Sequence, residues 1–265
     1  MTDSSVSITT DERGVAIVQL NRAAKHNAFD DEVIAELDIA FEAIAAQQDL
    51  RAVVLASAGK SFSAGADLGW MQRMANYSHE ENLQDARALA EMLRKLKHLP
   101  QPTLARVQGA SYGGGVGLVS CCDLAIGTPH ASFCLSEVKI GLLPATIAPY
   151  VIAAIGQRAT LRYSVTAEVM SAATALELGL LSSVVAAEEL DAAVEAMLDS
   201  LLANGPAAMQ AAKQLMNELA GRAIDADLIE TTCKAIADIR VSAEGQDGLQ
   251  AFLNKQTPNW RQDRV

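Results

Sequence analysis

Residues 103–119 read TLARVQGASYGGGVGLV, and this stretch indicates how the chain folds. Its first part, Thr103–Val107, is an apolar run that predicts a short strand. The glycines of Gly113–Gly115 follow, and they open a helix that we expect to end near Cys122. A strand, a glycine-rich turn and a helix in direct succession are typical of an α/β fold.

The sequence on either side repeats this alternation. Val6–Thr10 and Val15–Leu20 predict a hairpin, whereas Asp31–Gln47 carries apolar residues at helical spacing. Further elements are predicted as strands at Val53–Leu55, Leu124–Ile126, Ser132–Leu135 and Ser183–Val185, and as helices at 80–97, 150–163, 172–179, 188–203, 206–219, 225–240 and 243–254. We therefore expect an alternating α/β core followed, after about Tyr150, by a helical C-terminal third.

Composition narrows the classes of function. Hydrophobic residues make up 50% and charged residues 20% of the 265 residues, as in folded globular proteins. The net charge of −11 repels phosphate backbones and anionic lipids, so we expect neither nucleic-acid nor membrane binding. The N-terminal residues lack a basic segment followed by an apolar run, and the four cysteines have no metal-ligand spacing. Both features favour a cytoplasmic protein without a metal.

Two glycine patterns resemble motifs of other enzymes, and each fails a requirement. Gly113–Gly117 does not complete the dinucleotide fingerprint, because Leu118 stands where the last glycine belongs. Gly109–Gly113 matches the G-x-S-x-G nucleophile elbow of hydrolases. The only histidine after Ser111 is His130, which is too near in sequence to leave room for the intervening strands. A dinucleotide-binding protein and a serine hydrolase are therefore disfavoured.

A second loop of small residues, Phe62–Leu68, also follows a predicted strand. Small residues let a ligand approach the backbone, and the N-terminus of a helix carries partial positive charge. One N–H group from this loop and one from Gly113–Gly115 could flank a single oxygen and stabilise an enolate. The same residues are also typical of tight packing turns without a ligand, and their spacing leaves both interpretations open.

Several segments, taken in order, are similar to the crotonase (enoyl-CoA hydratase/isomerase) family. They are Leu20-Asn21-Arg22 with Asn27-Ala28-Phe29, Phe62–Leu68, Gly109 with Gly113–Gly115, Cys122-Asp123, and Ser136-Glu137 with Gly141–Pro144. The resemblance implies the crotonase (ClpP-like) β-β-α superhelix over residues 1–200. It also implies a helical region over residues 201–265 that forms a homotrimer or a dimer of trimers and covers the active site. It also implies an acyl-CoA thioester as substrate, so that CoA belongs to the substrate and no separate cofactor is expected.

The resemblance also assigns roles to individual residues. The N–H groups of Ala66 and Gly114 would bind the thioester carbonyl. The backbone at Ala24 and His26 would lie near the nucleotide end of CoA, and Lys255 would reach a CoA phosphate. Further residues expected at the substrate are Ala64, Asp67, Leu68, Met71, Tyr112 and Thr146. Trp70, Met71 and Leu68 are expected as walls of the acyl pocket, and Asp67 also as a brace of its own loop.

Hydratases of this family carry acid/base carboxylates at two positions, of which this chain keeps one. Glu137 is present, whereas Gly117 stands at the other position. One-base isomerases of the family also keep only the position of Glu137. We expect Glu137 to be the catalytic residue, with a pKa raised by burial among apolar groups.

The substrate is predicted from four segments. The chain resembles the methylglutaconyl-CoA hydratases of leucine breakdown and the isohexenylglutaconyl-CoA hydratases at Ala66–Met74, Glu81–Arg87, Gly113–Leu118 and Leu143–Tyr150. We predict hydration of a branched or dicarboxylic enoyl-CoA such as 3-methylglutaconyl-CoA. The residues expected to hold the second carboxylate are Arg73, Lys139, Tyr112 or Thr146. Two alternatives remain, a double-bond isomerase and an acyl-CoA- or RNA-binding relative with a decayed site.

Overall fold

The computed structural model describes residues 4–262. Its strands, in chain order, are β1 (Val6–Thr10), β2 (Val15–Leu20), β3 (Ala52–Ser57), β4 (Thr103–Val107), β5 (Ser111–Tyr112), β6 (Leu124–Gly127), β7 (Ser132–Cys134), β8 (Met170–Ser171) and β9 (Ser183–Val184). The six-stranded main sheet has the order β1-β2-β3-β4-β6-β9. Only the β1–β2 hairpin is antiparallel in it, and the other neighbours pair in parallel. The sequence therefore predicted the α/β class and the hairpin correctly.

The helices alternate with these strands at first and then follow one another. They are α1 (Asp31–Ala45), α2 (Leu68–Met74), α3 (His79–Lys97), α4 (Gly114–Cys121), α5 (Ala148–Thr166), α6 (Ala172–Leu178), α7 (Leu190–Leu202), α8 (Pro206–Leu219), α9 (Ala226–Val241), α10 (Ala243–Leu253) and α11 (Asn259–Gln262). The helical C-terminal part agrees with the sequence pattern. Trimer formation by residues 201–265 and their cover of the active site remain predictions. Among the described residues, no helix is both long and apolar enough to cross a bilayer.

Local signals explain where the helices of the site begin. The Asp30 side chain accepts a hydrogen bond from the N–H of Val33 and so caps α1. Helix α3 starts with a capping box, in which Ser78 and Glu81 bond reciprocally to each other's backbone N–H groups. Residues Phe41, Leu93 and Leu96 are fully buried, so α1 and α3 both face the core. These two helices fix one side of the molecule beside the main sheet.

Helices cover both faces of the main sheet, which explains why all of β3 is buried. One core cluster contains Val53 and Leu55 of β3 together with side chains of α1, α3 and α4. The alternate β3 residues, Val54 and Ala56, belong to a second cluster that includes Leu190 and Leu198 of α7. Because successive side chains of a strand point to opposite faces of the sheet, β3 packs against helices on both faces.

A small second sheet holds the glycine-rich turn. Strand β7 lies between β5 and β8, pairing in parallel with β5 and antiparallel with β8. The two-residue strands β5 and β8 were not predicted from the sequence, because an alternation of apolar and polar residues cannot be recognised in only two residues. Their effect is to hold Ser111–Tyr112 directly before the turn that opens α4.

A buried ion pair joins α8 to the core. The Nζ atom of Lys213 lies 2.7 Å from Asp123 Oδ2 and donates a hydrogen bond of 2.9 Å to the carbonyl of Gln101. The same Asp123 oxygen accepts hydrogen bonds from the N–H and hydroxyl groups of Thr103. Burial lowers the pKa of Lys213, and the neighbouring Asp123 carboxylate opposes that shift. The C-terminal helices are therefore attached to the end of β4.

We expect Lys213→Ala to lower the free energy of unfolding by about 3 kcal/mol, because the partly buried Asp123 loses its cationic partner. Urea denaturation followed by circular dichroism measures the change. Lys234→Ala is the matched control, since Lys234 makes an exposed pair with Glu230 and should change stability by less than about 0.5 kcal/mol. Equal losses in the two variants would contradict the role of the buried pair.

Candidate active site

A cavity of about 560 Å³ lies where the glycine-rich turn meets α2 and α3, within the size range of small-molecule sites. Its lining residues are Phe29, Ala64, Gly65, Ala66, Trp70, Met71, Met74, Asn82, Asp85, Ala86, Leu89, Gly113, Gly114, Ser136, Glu137, Ile140, Leu142, Leu143, Pro144, Ala145, Thr146 and Ile147. Most are apolar or small, and the polar ones are Asn82, Asp85, Ser136, Glu137 and Thr146.

Two single β-bridges position the Ala66 loop. Phe29 pairs with Ala66, because the N–H of Phe29 donates to Gly65 and the N–H of Asp67 donates to Phe29. Since the residues flanking Ala66 make these bonds, the N–H of Ala66 itself points away from Phe29. In the second bridge, Ser63 pairs with Ser111 of β5. The loop is thereby held against the glycine-rich turn.

Gly114 is the first residue of α4, so its N–H group has no acceptor within its own helix. A Cβ atom at Gly114 would lie 2.2 Å from Cζ of Phe29, so the phenyl ring packs directly on this glycine. The preceding Gly113 has φ 51 and ψ −120, a conformation that needs glycine. Phe29 thus contacts both the Ala66 loop and Gly114, the two places whose amides the sequence predicted to bind the ligand oxygen.

Glu137 opens a short 3₁₀ turn, Glu137–Ile140, and its carboxylate faces the glycine-rich turn. Its Oε1 atom lies 3.1 Å from the place where a Gly113 Cβ would be. Its Oε2 atom is buried and has no hydrogen-bond partner among the described residues. Burial raises the pKa of Glu137 above its ordinary value. Ala66, Gly114 and Glu137 therefore line one cavity.

A hydrophobic side chain fills the space beside Gly117, where related hydratases are expected to carry their other carboxylate. A Cβ atom at Gly117 would lie 2.3 Å from Cγ2 of Ile147. Ile147 is 2% exposed and also lines the cavity. An acidic side chain therefore has no room at position 117 while Ile147 keeps its place. Among the described residues, Glu137 is the carboxylate beside the glycine-rich turn, and an apolar contact occupies the space at position 117.

We expect Gly117→Ala to destabilise the protein by about 1–3 kcal/mol through overpacking against Ile147. In an Ile147→Ala background the clash is relieved, so the same substitution should cost much less. Urea unfolding of the two single variants and the double variant measures this coupling. Equal effects of Gly117→Ala in both backgrounds would contradict the packing argument.

The opposite wall of the cavity is formed by α2 and α3. It is mainly apolar, with Trp70, Met71 and Met74 from α2 and Ala86 and Leu89 from α3. Asp85 also lines this wall, and the sequence analysis gave it no role. Its sequence signals were its place in the resembling segment Glu81–Arg87 and a position one helical turn before Leu89, on the same helix face.

Some predicted substrate contacts lie in the cavity and others do not. Ala64, Met71 and Thr146 line it. Leu68, expected as a wall, is not a lining residue: it begins α2 and is 76% exposed, so its contact with a substrate stays a prediction. Tyr112 is not a lining residue; it contributes its backbone, which packs against Gly65.

Asp67 is engaged in its own loop, as the brace interpretation predicted, and is not a lining residue of the cavity. Its Oδ1 atom caps α2 by accepting hydrogen bonds from the N–H groups of Gly69 and Trp70. Its Oδ2 atom lies 2.9 Å from Nζ of Lys25 and 3.4 Å from a guanidinium nitrogen of Arg22. The hydrogen bond from Lys25 lowers the pKa of Asp67. The carboxylate therefore positions the loop.

The residues expected near the rest of CoA lie outside the cavity wall. Ala24 belongs to an exposed 3₁₀ turn, Ala23–Lys25. The carbonyl of His26 accepts a hydrogen bond of 2.9 Å from the N–H of Ala64, so this segment is attached to the loop of the site. Lys255 is exposed just after α10. Contacts of these three residues with CoA remain predictions.

A mostly parallel sheet, a small sheet carrying a glycine-rich turn, and a helical C-terminal part together define the crotonase-type α/β fold. The family model of enoyl-CoA hydratase/isomerase matches residues 10–263. The chain belongs to this family, as the sequence resemblance predicted.

Known proteins of the same family are similar over nearly the whole chain. The crystal structure of an enoyl-CoA hydratase from Shewanella pealeana is 45% identical, has a TM-score of 0.93, and covers 97% of this chain and 96% of that one. The short-chain-enoyl-CoA hydratase of Clostridium acetobutylicum is 29% identical, covering 92% of this chain and 93% of the relative. The crotonyl-CoA hydratase of Syntrophomonas wolfei is also 29% identical, covering 94% and 95%.

Proposed function

We propose that this protein adds water across the 2,3 double bond of a branched or dicarboxylic enoyl-CoA, with 3-methylglutaconyl-CoA as the expected substrate. The observation that carries the proposal is the placement of Glu137, which lines the same cavity as Ala66 and Gly114 and has a buried, unpartnered oxygen. The names of two relatives, a short-chain-enoyl-CoA hydratase and a crotonyl-CoA hydratase, support hydration.

In the proposed reaction, the N–H groups of Ala66 and Gly114 donate to the thioester oxygen of the bound substrate. Glu137, ionised at the start, takes a proton from water while the water oxygen attacks C3. The double-bond electrons move toward the thioester, and the resulting enolate is stabilised by the two amides. Glu137 then returns its proton to C2, so one carboxylate serves first as base and then as acid.

A double-bond isomerase is the second candidate, and the packing of Ile147 on Gly117 favours it. With one carboxylate beside the turn, Glu137 could move a proton between C2 and C4 without any water in the reaction. Incorporation of ¹⁸O from labelled water into the product separates hydration from isomerisation. A decayed binding protein is less well supported, because burying an unpartnered carboxylate is costly without a use for it.

Glu137→Gln should abolish hydration while leaving CoA thioester binding intact, because the amide keeps the shape but cannot accept a proton. Turnover and thioester affinity are both measured, and unchanged thermal stability is the control for folding. The base acts in its ionised form, and the pKa of Glu137 is raised. As the pH is lowered, wild-type kcat/KM should therefore begin to fall at a higher pH than it would with an ordinary glutamate as base. A variant with more than about a tenth of the wild-type rate would exclude Glu137 as the catalytic group.

The amide of Gly114 can be tested once Phe29 leaves room for a side chain. In a Phe29→Leu background, which removes the ring atoms nearest to Gly114, Gly114→Ala keeps the N–H group and Gly114→Pro removes it. Proline is tolerated at the first helical position. We expect the proline variant to be slower than the alanine variant by about a hundredfold in kcat. Equal rates in the two folded variants would refute a role for this amide.

A further inference from the structure

The charges around the cavity restrict how a dicarboxylic acyl chain could be held. Within the described residues, the cavity lining includes no lysine, arginine or histidine, and its charged side chains are Asp85 and Glu137. Arg73 is paired with Asp31, and neither Arg73 nor Lys139 is a lining residue. Binding of a distal carboxylate by Arg73 or Lys139 therefore stays a prediction without support from the cavity wall. The donors that the wall itself offers to such a group are neutral.

A suitable pair of groups lies on the α2–α3 wall. Trp70 is 5% exposed, and its buried Nε1 atom makes no hydrogen bond of ordinary geometry among the described residues, although its N–H group is near enough to Asp85 to affect the pKa of that carboxyl group. Asp85 Oδ2 is likewise buried and unpartnered there. Asn82 offers less, because its amide nitrogen already donates to the carbonyls of Tyr77 and Ser78. The unused polar atoms of this wall therefore belong to Trp70 and Asp85.

The surroundings of Asp85 favour its neutral form. Burial raises the pKa of Asp85 above that of an ordinary aspartate. The charged neighbours are Asp31 of α1, which raises this pKa further, and Arg73 of α2, which lowers it. The indole N–H of Trp70 also lowers it, and Glu137 is the other titratable group of the cavity. A second anion brought into the cavity would raise the pKa of Asp85 again.

We propose that Trp70 and Asp85 form the subsite for the distal carboxylate of the acyl chain, with the indole N–H donating to one oxygen and the neutral Asp85 carboxyl group donating its O–H to the other. The two carboxyl groups would then share one proton, as paired carboxylates do elsewhere. This inference rests on the proposed dicarboxylic substrate. It predicts that binding takes up a proton when Asp85 is ionised in the free protein, and that affinity falls as the pH rises.

The test uses two unreactive ligands, glutaryl-CoA, which has a distal carboxylate, and butyryl-CoA, which has none. Isothermal titration calorimetry at pH 6 and pH 8, in buffers of different ionisation enthalpy, gives affinity and proton uptake. We expect the affinity of glutaryl-CoA relative to butyryl-CoA to fall by about tenfold between these pH values. Proton uptake should accompany glutaryl-CoA binding only. Butyryl-CoA controls for the titration of CoA phosphates.

Three variants separate recognition from packing. Asp85→Asn keeps a donor that does not titrate, so glutaryl-CoA should bind at both pH values without extra proton uptake. Asp85→Leu and Trp70→Phe should each weaken glutaryl-CoA about tenfold more than they weaken butyryl-CoA. A ligand preference independent of pH, or equal weakening of both ligands, would overturn the subsite and leave Asp85 as a packing group beside Trp70.

The outcome for the subsite is separable from that for the proposed function. Turnover of 3-methylglutaconyl-CoA and crotonyl-CoA is measured in parallel with binding. If crotonyl-CoA is hydrated and 3-methylglutaconyl-CoA is not, the dicarboxylic substrate fails, whatever glutaryl-CoA binding reports. If both are hydrated and the preference for glutaryl-CoA over butyryl-CoA neither changes with pH nor involves proton uptake at either pH, the subsite fails and the proposed function stands.

Discussion

The candidate active site depends on the Phe29–Ala66 bridge. Phe29, which precedes α1, donates its N–H to Gly65 and accepts a hydrogen bond from the N–H of Asp67, and its ring packs against Gly114. Two backbone segments far apart in sequence are thereby fixed by a single side chain and two hydrogen bonds. On the other side of the loop, Asp67 is held by Lys25 and Arg22. Amides fixed in this way need no reorganisation when charge develops on a ligand.

The electrostatics of the cavity follow from this backbone arrangement. Main-chain amides are neutral donors, so the proposed enolate would be stabilised without a buried cation that itself needed a partner. Two close carboxylates would raise each other's pKa, and one of them would then be protonated. With Ile147 packed on Gly117, burial alone raises the pKa of Glu137. A single carboxylate in this setting remains available as a base near neutral pH.

Sequence patterns predicted the elements better than the walls of the site. The glycines at 113–115 and the small residues at 63–66 were identified because backbone approach demands small residues, a property that one segment carries by itself. Asp85 was missed because its importance arises from Trp70, which belongs to another helix. The rotation of α2, which turns Leu68 to solvent, depends on packing that its seven residues do not encode alone.

Apolar side chains are exposed both at the rim of the cavity and on the C-terminal helices. Ile140 and Leu142 line the cavity and are 58% and 53% exposed, so its rim is apolar and open to solvent in the single chain. In the C-terminal helices, Val241 and Phe252 are 77% and 81% exposed. Apolar side chains exposed in both regions favour burial against one another or against further copies of the chain. Because Lys255 lies three residues after Phe252, burial of that helix end would also fix the position of Lys255. The expected assembly, the cover over the active site and the expected lysine–phosphate contact stay predictions, and burial of these apolar side chains would connect the three.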